Sequence, residues 1–307
     1  MRNLNFLIFL SFLASCNMSR TLVSNSNYEK DSLYRASDFT TPGLFTKGIE
    51  GPATDFHGTI YAVNFEKQGT VGMITPQGIA SLYVTLPEGS VGNGIRFTSS
   101  GEMLIADYKK HNILIVNPMD KSIRIFAHDD KMNQPNDLAI SKTGFLYCSD
   151  PKWADSTGNI WMITPTGEVH LLEQNMGTTN GIEVSADEKK LYVNESISRK
   201  VWVYDRLENG KIANKRLFIQ FPDFGMDGMR SDEAGNIYIT RFGKGTVAKV
   251  SPSGKILCEI VLKGKNVTNI CFGGKDGKTC YVTLSDRGCM ETFRVEKAGR
   301  EFKLKSK

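Results

Sequence analysis

The sequence has little of what most hydrolytic or metal-binding sites are made from. Its 307 residues contain only four histidines, His57, His111, His128 and His170, and no Cys-x-x-Cys pair or Cys/His cluster. No zinc-ligand set can be read from such spacing, and no Ser–His–Asp constellation suggests itself. Beyond Cys16 there are five cysteines, Cys148, Cys258, Cys271, Cys280 and Cys289. An odd number leaves at least one thiol unpaired within a monomer; buried free thiols are expected, and one disulfide among the C-terminal four is the alternative in an oxidising compartment. After the first residues no apolar run approaches the roughly 20 residues that span a bilayer. The net charge of +5 is modest, and the basic residues concentrate only in the tail from Lys297 to Lys307. No basic stripe interleaves with aromatics, which excludes a nucleic acid as partner. No long segment carries a 3.6-residue apolar period, so helix content should be low.

The N-terminus differs from the rest. Arg2 precedes a short apolar run from Leu4 to Leu13, and Leu13-Ala14-Ser15-Cys16 follows. The pattern resembles a bacterial lipobox, in which the cysteine is lipidated after signal cleavage. The expected organisation is a signal peptide over 1–15, a polar tether over 16–37 and one domain over 38–307. The expected location is the bacterial cell envelope, periplasmic or surface face, with a lipid on Cys16 as the sole membrane contact.

What the domain does have is repetition. A turn, a strand, a second turn and a second strand recur with starts at Gly58, Gly101, Gly144, Lys189, Gly235 and Gly277, spaced by 43, 43, 45, 46 and 42 residues. A period in the low forties with four short strands per unit marks a propeller blade. The fold expected is all-β, a six-bladed β-propeller. In the second repeat the strands are expected at Gly94–Phe97, Met103–Asp107, Ile113–Val116 and Ile123–Phe126. Residues following Ser37 should help close the last blade.

One phase of the repeat is uniformly polar. Eight residues before each start, or nine in the longer fourth repeat, stand Glu50, Asn93, Asn136, Asn180, Asp227 and Asn269. All six side chains end in oxygen, and the phase puts them at the beginning of each innermost strand, around one mouth of the central channel. Two carboxylates among amide oxygens suit a hard divalent cation such as calcium, which takes six to eight oxygen ligands. Taken singly, Asn and Asp could merely shape turns; six in phase, with a Glu among them, point to an ion site. A second set, Asn64, Asp107, Asp150, Glu195, Arg241 and Thr283, ends the second strand of each unit and reads chiefly as strand-end capping, with Asp107 and Asp150 able to add charge near the site. The loop Pro151–Gly158 carries Trp153 and could wall the mouth.

The segments IEGPATD, QPNDLAISKTG, TNGIEVSADEKKLYV and DGMRSDEAGNIYIT, in order and in phase, resemble the senescence marker protein, gluconolactonase and luciferin-regenerating enzyme family. The resemblance runs from about Glu50 to Val295. It implies a channel-bound calcium or similar ion with ligands from the EGP, ND, NG and DG motifs, here Glu50, Asn136, Asn180 and Asp227. It also implies a calcium-dependent hydrolase of lactones, sugar lactones or related cyclic esters. Asp227 is then the candidate base or, alternatively, the nucleophile, and Asn93, Gln134 and Trp153 are candidate substrate contacts. Sugar-lactone members often carry Arg where this chain has Gln134; a neutral amide cannot make the charged fork contact. The same kind of site serves organophosphate-type phosphoesterases, and a non-catalytic, surface-tethered binding propeller is the reading from another class.

Overall fold

The structure is a computed structural model and describes residue 1 and residues 33–305. Cys16 and nearly all of the expected signal and tether lie outside the described residues. Six four-stranded antiparallel sheets follow one another along the chain. The first strand, β1 (Ser37–Asp38), is not part of the first sheet. Blade 1 comprises β2 (Phe45–Thr54), β3 (Ile60–Phe65), β4 (Thr70–Ile74) and β5 (Ala80–Thr85). Blade 2 comprises β6 (Gly92–Phe97), β7 (Met103–Asp107), β8 (Asn112–Val116) and β9 (Ile123–His128). Blade 3 is β10 (Leu138–Ile140), β11 (Leu146–Lys152), β12 (Thr157–Ile163) and β13 (Val169–Met176). Blade 4 is β14 (Thr179–Val184), β15 (Lys190–Glu195), β16 (Lys200–Arg206) and β17 (Ile212–Gln220). Blade 5 is β18 (Met229–Ser231), β19 (Ile237–Arg241), β20 (Thr246–Val250) and β21 (Ile256–Val261). Blade 6 is β22 (Val267–Gly273), β23 (Thr279–Leu284) and β24 (Cys289–Arg294), with β1 as its outer strand. One helix, α1 (Arg300–Lys305), follows.

The expected ring closure is present. β1 pairs antiparallel with β24, Ser37 opposite Thr292 and Asp38 opposite Glu291. The Asp38 carboxylate pairs with Arg287 at 2.6 Å and Lys263 at 2.5 Å, which holds its carboxyl below the usual range. The Tyr34 N–H donates to Arg294 O at 2.9 Å, so the stretch 34–37 belongs with this blade rather than with the tether.

A lone sheet of this kind exposes two apolar faces, and the core is therefore split into six clusters, one between each pair of neighbouring blades. The period of two along a strand sends alternate side chains to opposite clusters. In β3 Ala62 faces blade 6 while Val63 faces blade 2. In β7 Leu104 faces blade 3 while Ile105 faces blade 1. The five described cysteines are all free, and four are buried, Cys258 being half-buried. They serve as small apolar packing groups. No helix among the described residues is long and apolar enough to cross a membrane.

Candidate active site

The six innermost strands meet in turn around the ring, β2 against β6, β6 against β10, and so on back to β22 against β2. Their pairing with the second strands is interrupted where the oxygen-bearing residues stand. Register shifts flank Glu50 in β2 and fall between Gly92 and Ile95, Thr179 and Ile182, and Val267 and Ile270. In blades 3 and 5 the inner strand begins only after Asn136 and Asp227. An irregularity frees the residue from the ladder and re-aims its side chain, which is how these positions come to face the channel instead of an interblade core. Two glycines behind them permit the close packing. A Cβ on Gly51, whose φ is +57°, would lie 2.0 Å from Asn93 O, and one on Gly228 would lie 2.0 Å from the Asn269 side chain.

Glu50, Asn93, Asn136, Asn180 and Asp227 line a cavity of about 750 Å³ at this mouth. The amide oxygens Oδ1 of Asn93, Asn136 and Asn180 are buried and accept no hydrogen bond. In Asn180 the amide orientation follows from Nδ2, which donates to Ser196 Oγ at 3.0 Å. The Glu50 and Asp227 carboxyl groups are within hydrogen-bonding contact, with Asn180 beside Asp227. Burial, then the Asp137 charge, pushes Glu50 up to about 7. Burial, then the Glu50 charge, pushes Asp227 well above the carboxylate range. Each buried acceptor without a partner costs about 1–3 kcal/mol, and two carboxylates in contact resist joint ionisation. The arrangement fits a hard divalent cation, which would satisfy the amide oxygens and offset both charges. Among the described residues no three His, Cys, Asp or Glu side chains gather as a metal cluster; the oxygen set here is two carboxyl groups and three amides.

Asn269, the sixth ring position, is different. Its Nδ2 donates to Glu50 Oε2 at 2.9 Å and its Oδ1 accepts from the Ile270 N–H at 2.9 Å. It also stands outside the cavity lining. With the Gly51 N–H at 2.7 Å, it fixes Oε2 of Glu50. Asn269 therefore positions Glu50.

The second in-phase set caps loops. Asp107 accepts from Ser90 Oγ at 2.7 Å and from the Val91 N–H at 3.2 Å. Asp150 accepts from the N–H groups of Asn133 and Gln134 at 2.8 and 2.6 Å and from Trp161 Nε1 at 2.7 Å. Glu195 accepts from the Gly177 N–H at 3.0 Å. Each secures the chain as it enters the inner strand of its own blade, so Asp107 and Asp150 are committed to their loops and do not line the cavity.

Trp153 lies on the cavity wall, in a single 3₁₀ turn over Trp153–Asp155. Gln134 does not line the cavity. Its Oε1 accepts from the Trp153 N–H at 3.5 Å, near the Tyr108 hydroxyl. None of the four histidines lines the cavity.

Beneath the mouth lies a group of buried charges that reading the sequence missed. Arg230 forks onto Asp137 at 2.8 and 3.1 Å, and Arg96 stands 3.5 Å from the same carboxylate. Arg96 also meets Glu301 of α1 at 2.7 Å, while Arg300 lies 3.6 Å from Glu183 and pairs with Glu188. A signal was available, because Arg96, Glu183 and Arg230 each stand three residues beyond a ring position. At this phase three of the six inner strands carry charge, the others having Ala53, Ala139 and Phe272.

The family model described as the SMP-30/Gluconolactonase/LRE-like region matches residues 50–286. The chain belongs to this family. Among curated relatives of this SMP-30/gluconolactonase/LRE-like protein, the gluconolactonase of Zymomonas mobilis is 29% identical over 218 residues, covering 63% of this chain and 60% of the relative. The chain thus spans under two thirds of that relative's length. The pentonolactonase XacC of Haloferax volcanii is 27% identical over 203 residues, 64% of this chain and 68% of the relative. Among solved structures, a calcium-binding protein, regucalcin, from Agrobacterium tumefaciens superposes with a TM-score of 0.74 at 22% identity, over 84% of this chain and 92% of that one. That likeness establishes the shared six-bladed fold.

Proposed function

We propose that this protein is a divalent-cation-dependent lactone hydrolase, with calcium held by Glu50, Asn136, Asn180 and Asp227, on a domain tethered to the bacterial envelope through a lipid on Cys16. The observation that carries the reading is the group of buried amide oxygens without hydrogen-bond partners, gathered around two carboxyl groups in contact. Family membership and relatives named gluconolactonase and pentonolactonase support the reaction class. Similarity to regucalcins supports the metal.

A bound cation of this type supplies Lewis-acid polarisation of the ester carbonyl. The chain supplies the rest. Asp227 takes a proton from water as the water oxygen bonds the carbonyl carbon. It returns that proton to the ring oxygen as the ring C–O bond breaks, leaving the hydroxy acid. Asn93 and Trp153, both on the cavity wall, bind the substrate. Gln134 acts on it at one remove, through Tyr108 and the Trp153 turn. The decisive experiment follows lactone hydrolysis by acid release with a chelator and after calcium is restored. Full activity in the chelator ends the metal mechanism.

A further inference from the structure

The large apolar side chains of the cavity stand to one side. Blades 2 to 5 contribute Tyr108, Trp153, Ile197, Phe224 and Phe242 alongside the polar Ser196 and Arg199, whereas Lys47, Asn64, Gln68 and Ser285 stand on the side of blades 1 and 6. Four of the apolar side chains are open to solvent, Trp153 by 37%, Ile197 by 57%, Phe224 by 50% and Phe242 by 39%. Large apolar groups exposed singly need no explanation; gathered on one wall of one cavity they form a surface for an apolar ligand.

Two features show that this wall is built. Phe224 has a φ of +45°, a conformation a bulky residue adopts only where the surroundings impose it. Its ring packs on the turn at Gly243, next to Phe242, where a Cβ would lie 3.3 Å from Phe224 Cδ1. On the opposite flank, the Gln134 amide oxygen faces the Trp153 N–H at 3.5 Å, outside the cavity lining. Phe224 lies three residues before Asp227 in the sequence, so the apolar wall begins beside the proposed base.

Resting on the lactonase reading, we infer that the substrate is a lactone carrying an apolar substituent, alkyl or aryl, rather than a polyhydroxylated sugar lactone. The lactone ring sits over the oxygen ligands and the substituent lies along Trp153, Phe224 and Phe242. Hydroxyls of a sugar lactone set against these rings would find no donor or acceptor there, with only Ser196 and Arg199 on this side able to pair with them.

The test uses the full-length, calcium-loaded protein with δ-valerolactone, δ-hexalactone, δ-octalactone, δ-decalactone, dihydrocoumarin and glucono-δ-lactone. We expect kcat/KM to rise about two- to fourfold per added methylene over the first carbons, as burial of each CH₂ allows, with glucono-δ-lactone the poorest. Phe224→Ala and Phe242→Ala should flatten that slope, costing δ-decalactone more than δ-valerolactone. A flat series, or a preference for glucono-δ-lactone, overturns the inference. The affinities of alkyl-substituted δ-lactams are measured alongside. If no lactone is hydrolysed, the hydrolase reading fails, and the lactams decide this one separately. Tighter binding with chain length supports the apolar wall, and equal affinities reject it.

Discussion

Asn269 donates from Nδ2 to Oε2 of Glu50 at 2.9 Å, joining the last blade's ring residue to the first blade's. The bond lies where the chain closes on itself, so the orientation of a proposed ligand depends on ring closure. Asn269→Ala leaves Oε2 with the Gly51 N–H alone. Loss of such a supporting bond typically weakens a metal site by about 10- to 100-fold. Calcium titration calorimetry should show a drop near the lower end, with circular dichroism unchanged. Wild-type affinity would remove Asn269 from the site.

Asp227 and Glu50 should separate on substitution. Asp227→Asn keeps an oxygen but no base, so turnover should fall about 10²- to 10⁴-fold with calcium at saturation. Glu50→Gln should chiefly weaken calcium binding. Because the two carboxyls repel each other when ionised, each variant should melt higher than wild type in chelator at neutral pH. Wild-type turnover by calcium-saturated Asp227→Asn would show that Asp227 is not the base.

The raised carboxyls set the pH dependence. Glu50 in the metal-free protein titrates at about 7, up from 4.5, because it is buried near Asp137. Below 7 it holds a proton that the cation must displace, so calcium affinity should climb as pH rises through 7, and the raised Asp227 carboxyl extends that rise to higher pH. Stability has the opposite sign. A carboxyl whose folded pKa is raised binds more protons folded than unfolded, so its contribution declines between about 4.5 and 7 as pH rises. Calorimetry at pH 6, 7 and 8 in buffers of different ionisation enthalpy should detect proton release. Affinity independent of pH across this range would contradict the carboxyl assignment.

The Arg230–Asp137 pair is fully enclosed, with Arg230 2% and Asp137 0% exposed. Asp137→Ala removes the carboxylate on which Arg230 forks, while Arg96 keeps Glu301. Removing one partner of such a pair costs about 3–5 kcal/mol, to be read from the urea midpoint at constant slope. A loss under about 1 kcal/mol would mean that water or Glu301 takes over from Asp137.

Export is tested apart from the fold. Mass spectrometry of membrane-extracted protein should find a mature N-terminus at Cys16 carrying lipid. An unmodified Cys16, or a different mature start, rejects the lipobox reading.

Much of the architecture was legible because a propeller writes its fold as a period. The strands of blade 2 appear where the repeat put them, with β6 starting at Gly92 rather than Gly94, ahead of the irregularity that aims Asn93, β8 starting one residue earlier at Asn112 and β9 running on to His128. Phase counting found Glu50, Asn93, Asn136, Asn180 and Asp227, which line the cavity. It could not distinguish Asn269 from Asn180. The two share a phase, and only the neighbouring blade determines whether the amide meets a carboxylate or a cavity.

The sequence by itself determined the number of blades, the phase of the oxygen ring and the family. These properties follow from local period, strand alternation and short motifs, which need no long-range information. Tertiary structure decided what the residues do once the ring is closed. It placed Gln134 off the cavity lining, with its Oε1 toward the Trp153 N–H. It committed Asp107 and Asp150 to loops, and stacked Asp137, Arg96, Arg230 and Glu183 beneath the mouth with Arg300. It also gathered Trp153, Ile197, Phe224 and Phe242 from separate blades onto one wall. The physical reason is that burial and partnership arise between blades, where residues tens of positions apart meet, and a residue's charge, hydrogen bonds and reactivity are set by those neighbours.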